Sequence, residues 1–134
     1  MNKFAKLNKN RQFMYIYNRG ISLVSPLLVT YLLKNRFKNN RLGITASKKV
    51  GNAVKRNRAK RIINAAYKNI YANFNLKNGY DIVFVARAKT AKSNSNKIYN
   101  IIYKHLSDLN IINTSSMQKE KLKLKEIKSG KELK

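Results

Sequence analysis

The run that most constrains the fold is Tyr80-Asp81-Ile82-Val83-Phe84-Val85-Ala86, entered through an Asn78-Gly79 turn signal. It is almost continuously apolar, whereas a strand with one wet side alternates apolar and polar residues. It therefore reads as a strand buried on both faces. Two β-like runs precede it. Leu27 to Leu33, after Ser25-Pro26, sets Leu27, Val29, Tyr31 and Leu33 on one side and Leu28, Thr30 and Leu32 on the other. Leu42 to Ser47 sets Leu42, Ile44 and Ala46 one way and Gly43, Thr45 and Ser47 the other. The basic, asparagine-rich link from Lys34 to Arg41 reads as a turn, so a hairpin is the simplest pairing of these two.

Between the second run and the third the period changes. From Val54 or Arg56 to Tyr71, Ala59, Ile62, Ile63, Ala66 and Ile70 form a stripe at helical spacing, with Arg56, Lys60, Arg61, Asn64 and Lys68 opposite. Strand, helix, strand implies a parallel pair joined by a crossover. A shorter helix is expected from about Lys9 to Arg19, where Phe13, Ile16 and Tyr17 share a face, Asn8 can cap the start and Gly20 the end. Ser93 or Ser95 can cap a last helix, with Ile98, Ile101, Ile102, His105 and Leu109 on one face. His105 falls on the apolar side, where a structural role is expected. Residues 1–113 read as one domain and residues 114–134, polar and alternating Lys with Glu, as a disordered or frayed basic tail.

Composition narrows the function. Thirty Lys and Arg against five acids give a formal charge of +25, and the first acid, Asp81, comes only at position 81. Self-repulsion of that size destabilises a compact chain unless an anion neutralises it. No apolar run approaches the twenty residues or so of a membrane span, and the N-terminus lacks the apolar core of a signal peptide. A cytoplasmic protein without membrane contact is expected. The absence of cysteine removes disulfides and thiolate chemistry, and a lone histidine leaves zinc sites and histidine triads without their parts. Gly43 and Gly51 lack the companion glycines of a nucleotide-binding loop. With Asp81 in the buried strand, Asp108 near a helix end and the other acids in the tail, no carboxylate pair is expected. No catalytic residue, protein-held metal or small-molecule substrate is therefore anticipated.

Binding chemistry is well supplied. Ser47 to Arg61 carries Lys48, Lys49, Lys55, Arg56, Arg58, Lys60 and Arg61, no acid, and Gly51 where a loop turns into a helix. Point charges, guanidinium forks and amides near a helix N-terminus suit phosphate oxygens. If some six to ten phosphates are neutralised, affinity falls about 10³- to 10⁵-fold between 50 and 200 mM salt. Phe13, Tyr17 and Tyr31 can form a stacking platform if helix and strand meet, though their spacing fits ordinary core as well.

The segment Lys48-Lys49-Val50-Gly51-Asn52-Ala53-Val54-Lys55-Arg56-Asn57-Arg58-Ala59-Lys60-Arg61 resembles the Arg-Asn-Arg signature of the bacterial ribonuclease P protein subunit. The resemblance spans about residues 6 to 110, including Leu7, Lys9 and Phe13 of the opening helix, Gly43 to Ser47, and a strand ending in Ala86-Arg87. Arg87-Ala88-Lys89 departs from it, since many relatives have proline after the arginine.

The resemblance implies an α+β fold, a small α/β sandwich whose central mixed sheet is flanked by helices in the order α-β-β(-β)-α-β-α. A left-handed βαβ crossover would go with it (ribosomal protein S5 domain 2-like). It also implies one more short strand, around Lys34 to Asn40 or as a split of the first long strand. Lys55, Arg56, Asn57, Arg58, Lys60 and Arg61 would bind the catalytic ribonuclease P RNA. Phe13, Tyr17, Tyr31, Ser47, Lys48 and Lys49 would form the cleft for the single-stranded leader of precursor tRNA. Hydrolysis would belong to the RNA and its magnesium. A ribosomal or RNA-chaperone protein without a cleavage partner is the alternative, and a lone metal-dependent nuclease a third.

Overall fold

The computed structural model describes residues 5–113. In chain order the elements are β1 (Ala5–Lys6), α1 (Asn10–Arg19), β2 (Ile21–Val24), β3 (Leu28–Lys34), β4 (Arg41–Thr45), α2 (Ala53–Asn73), β5 (Asn75–Leu76), β6 (Tyr80–Ala86), α3 (Ser95–Asp108) and β7 (Ile112–Asn113). Five strands make one mixed sheet in the order β1-β4-β6-β3-β2, and β5 pairs with β7 in a small separate ribbon.

The two-sided strand sits at the centre. β6 is parallel to β4 on one edge and antiparallel to β3 on the other, and Ile82, Val83 and Phe84 are fully buried. The parallel pair flanks α2, as its strand-helix-strand pattern implies. The hairpin between the first two runs does not form, because β6 lies between them. β3 instead turns back on β2 across Ser25-Pro26, where Ser25 N donates to Leu28 O at 2.8 Å and Leu28 N to Ser25 Oγ at 3.0 Å. The extra strand is thus Ile21–Val24, neither a segment of Lys34 to Asn40 nor a split of the first long strand, which runs unbroken from Leu28 to Lys34. Β-structure in it was hard to read because Ile21 and Val24 are exposed at the sheet edge.

Side-chain alternation splits the sheet into two faces. Leu28 and Leu32 of β3, Leu42 of β4, and Ile82, Phe84 and Ala86 of β6 join Ala59, Ile63, Ala66 and Ile70 of α2 and Ile98, Ile102 and Leu106 of α3 in the main core. Tyr67, which breaks the apolar stripe only by its hydroxyl, is buried there against Phe84, ring centroids 5.6 Å apart. Thr30 also faces this side, and its Oγ1 lies 2.7 Å from His105 Nδ1, giving the buried histidine the structural role expected of it. Across the sheet, α1 alone covers the other face, through Ile16 on Val83 and Leu7.

Two helix starts differ from expectation. Lys9 rather than Asn8 is the cap residue of α1, and Gln12 Oε1 reaches back to accept from the amides of Asn8 (3.1 Å) and Lys9 (3.0 Å). Asn94 rather than either serine caps α3, accepting from Lys97 N at 2.9 Å. Gly79 has φ +94°, the left-handed conformation that its turn demands. No helix among the described residues is long and apolar enough to cross a membrane. The expected tail, residues 114–134, lies outside the described residues.

Candidate nucleic-acid interface

Register places three rows of side chains across the face that carries α1. Tyr31, Val83 and Gly43 are aligned on β3, β6 and β4 and run beneath the helix. Gly43 is required here by close approach, since a Cβ would stand 2.5 Å from Phe13 Cε1. Phe13 lies over that glycine, Tyr17 lies 6.4 Å from Phe13 between ring centroids, and Tyr31 lies 4.9 Å from Tyr17. Tyr17 Oη and Thr45 Oγ1 are 3.3 Å apart, which fixes the ring over the strands. All three aromatics are half-buried, so core and platform are not exclusive roles for them.

On one flank of α1 the next row, Val29, Val85 and Thr45, is only partly covered, with Tyr17 reaching Thr45. A groove of about 770 Å³ opens there, lined by Val29, Tyr31 and Val85 on its floor and by Ser47, Lys49, Arg87 and Lys89 around it. Of the cleft residues expected from sequence, Tyr31, Ser47 and Lys49 border the groove itself. Tyr17 meets it through Tyr31 and Thr45, Phe13 lies one ring further back, and Lys48 is exposed outside the lining. Arg87 and Lys89 are additions. The segment Arg87-Ala88-Lys89, where Ala88 stands in place of the proline of many relatives, walls the groove, with Arg87 Nη1 donating to Ser25 O at 3.0 Å. A pair of cations directly after the most apolar strand was the available signal.

The junction from Ser47 to Arg61 folds in two parts. Ser47 caps a single 3-10 turn, Lys48–Val50, by accepting from Lys49 N at 3.3 Å, and Val50 is buried below it. Gly51 follows at φ +140°, where only glycine is at ease, and the Lys55 side chain packs over it, 2.7 Å from where a Cβ would stand. Asn52 then caps α2, accepting from Lys55 N at 3.0 Å. Lys55, Asn57, Arg58, Lys60 and Arg61 are exposed, and Ala59 and Ile63 carry the opposite side of the helix into the core. Arg56 differs from its neighbours. It is half-buried, and its Nη1 donates to Gly51 O at 3.0 Å, bracing the loop as well as adding charge.

Among the described residues no three His, Asp or Glu side chains gather where a metal ion would be held. Asp81 is 3% exposed and already forked by Arg41, with Nε to Oδ1 at 2.8 Å and Nη2 to Oδ2 at 2.7 Å, while Asn35 donates to Oδ1 at 2.9 Å. That carboxylate holds up the Arg41 pKa by hydrogen bonding and is poorly placed to take a cation. Among the described residues the donor set does not fit a magnesium site.

A sequence model of the ribonuclease P family matches residues 1–110. The ribonuclease P protein component of Clostridium botulinum (strain 657 / Type Ba4) is 43% identical over 107 residues, covering 80% of this chain and 92% of that protein. Its counterpart in Alkaliphilus oremlandii (strain OhILAs) is 38% identical over 115 residues, covering 86% and 99%. Among solved structures, the Staphylococcus aureus RNase P protein superposes with a TM-score of 0.67 at 32% identity, covering 83% of this chain and 100% of that one. Match length, identity and architecture agree, and the chain belongs to the ribonuclease P protein family.

Proposed function

We propose that this chain is the RNA-binding component of a ribonuclease P, the ribonucleoprotein that removes the 5′ leader from precursor tRNA. Its role is to hold two RNAs at once. The single observation that carries this reading is the division of the basic segment at Gly51. Ser47 and Lys49 border the aromatic groove, while Arg58, Lys60 and Arg61 project from the exposed side of α2.

The groove suits a single strand. Half-buried Tyr31 and Tyr17 offer ring faces, and Lys49, Arg87 and Lys89 offer cations for the backbone. The α2 surface suits a folded RNA, because a rigid helix held from behind by Ala59 and Ile63 presents guanidiniums at fixed spacing to phosphates. The work of the protein is to position the leader and to screen phosphate repulsion between substrate and catalytic RNA. Magnesium and the hydrolytic step are assigned to the RNA.

Reconstitution tests this. Purified protein added to a ribonuclease P RNA at low magnesium is expected to stimulate leader removal from precursor tRNA and to cleave nothing by itself. Absence of stimulation overturns the proposal. A general RNA chaperone, by contrast, binds precursor and mature tRNA equally.

A further inference from the structure

Across α1 from the aromatic groove lies a second one. The next row on the strands, Leu33, Asp81 and Arg41, emerges on the opposite flank of the helix, and a groove of about 470 Å³ opens over it between α1 and residues 34–41. Two aromatic rings border it with more than half their surface in solvent, Tyr15 at 54% and Phe37 at 56%. Neither packs a core. Tyr15 and Tyr17 are two positions apart on α1 and so point to different sides of the helix, which assigns one ring to each groove.

Both rings are held by cations. Arg19 Cζ lies 4.7 Å from the centroid of Tyr15, and Arg41 Cζ lies 4.6 Å from that of Phe37. The loop bearing Phe37 is itself fixed, since Asn35 Oδ1 accepts from Phe37 N at 2.8 Å and Asn35 N donates to Gly79 O at 2.7 Å. Arg11, Lys34 and Arg36 add charge to the rim. The single carboxylate, Asp81, is buried with both oxygens engaged by Arg41 and Asn35, so it offers little repulsion to an anion. Exposed rings stiffened by guanidiniums and ringed by cations match a chain that alternates flat bases with phosphates.

We propose that this second groove is a separate single-stranded RNA subsite, in which Tyr15 and Phe37 stack bases and Arg11, Lys34 and Arg36 meet the backbone. It rests on the reading of the chain as an RNA-binding protein but not on the role of the first groove. The test measures binding of the full chain to a labelled, unstructured RNA oligonucleotide and to a duplex RNA of the same length. The double substitution Tyr15→Ala with Phe37→Ala is expected to weaken single-strand binding at least about tenfold and duplex binding less than about twofold. The ring-retaining pair Tyr15→Phe with Phe37→Tyr is expected to restore wild-type affinity.

Wild-type single-strand affinity in the alanine pair overturns the subsite, and so does equal loss on both RNAs in a variant that melts like wild type. Failure of the wild-type chain to bind the oligonucleotide at all overturns the RNA-binding reading along with it. Loss that grows with leader length in the reconstituted enzyme assigns the subsite to the substrate. Loss confined to assembly with the catalytic RNA assigns it there, and either result supports the subsite.

Discussion

The two faces of the central sheet are made from alternate residues of the same strands, yet they are finished differently. Behind the sheet, two helices close over Leu28, Ile82 and Phe84 and leave them no measurable exposure. In front, one helix crosses the middle row, buries Ile16 and Val83 with Leu7, and leaves Phe13, Tyr17, Tyr31 and Val85 half open. A ten-residue helix about 15 Å long cannot roof five strands. The partly covered rows on either side become grooves. The difference teaches that stability is concentrated on the α2 and α3 face, which leaves aromatic rings on the α1 face available to a ligand.

The largest expected effect breaks the closed face. Phe84→Ala removes a fully buried ring packed on Tyr67 and should cost about 3–5 kcal/mol in urea unfolding. Val85→Ala, one residue along the same strand but half-buried toward the groove, should cost about 1 kcal/mol. Similar costs for the two would erase the contrast between the faces. Next in size is Gly43→Ala. Its methyl group would meet the Phe13 ring at 2.5 Å, forcing Phe13 off its seat at about 1–3 kcal/mol of stability. Affinity for leader-bearing RNA is expected to fall in the same variant if the Phe13, Tyr17 and Tyr31 series acts as a unit. A normal stability and normal affinity would show that Phe13 is not held by that glycine.

Much of this contrast was legible before folding. The two-sided strand Tyr80–Ala86, the division of Leu27 to Leu33 into two faces and the stripe on α2 all follow from periodicity, because burial acts on each residue of a regular element alike. Pairing was less legible. The expected hairpin failed because the central position is decided by which strand most needs cover on both sides, a competition among distant segments that local turn signals do not encode. At the site, the basic density of Ser47 to Arg61 was plain, but the inward turn of Arg56 to Gly51 O was not, since a half-buried arginine has the same letter as an exposed one. Tyr15 and Phe37 carried no signal at all. Phe37 stands alone among polar neighbours and Tyr15 is lost within the run Phe13 to Tyr17, and only the meeting of α1 with residues 34–41 brings them to one groove.

A smaller and more selective effect sharpens the open face. Tyr17→Ala should weaken binding of leader-bearing precursor by about 1–3 kcal/mol while leaving mature tRNA nearly unchanged. Tyr17→Phe, which loses only the contact to Thr45 Oγ1, should cost about 0.5–1.5 kcal/mol of stability and keep the stacking face. Equal weakening of both RNAs by Tyr17→Ala would return Tyr17 to the role of a packing residue.

The smallest expected effect separates the faces by pH. His105 is the chain's single histidine and lies on the closed face, where burial, aided slightly by Lys104 and opposed by Asp108, lowers its pKa below the ordinary 6.5. Thr30, its partner across the interface, does not titrate. Because the folded form resists protonation more than the unfolded chain, His105 contributes stability that is fully present above about pH 6.5 and is lost as the pH falls through its folded-state value. Wild-type melting temperature should therefore drop between pH 7 and pH 5, and His105→Gln should flatten that slope. The groove bordered by Tyr31, Lys49, Arg87 and Lys89 lies on the other face of the sheet from His105, which packs against Thr30. RNA affinity of the folded protein should change little over the same range, and an equal slope in wild type and His105→Gln would remove the histidine as the cause of acid lability.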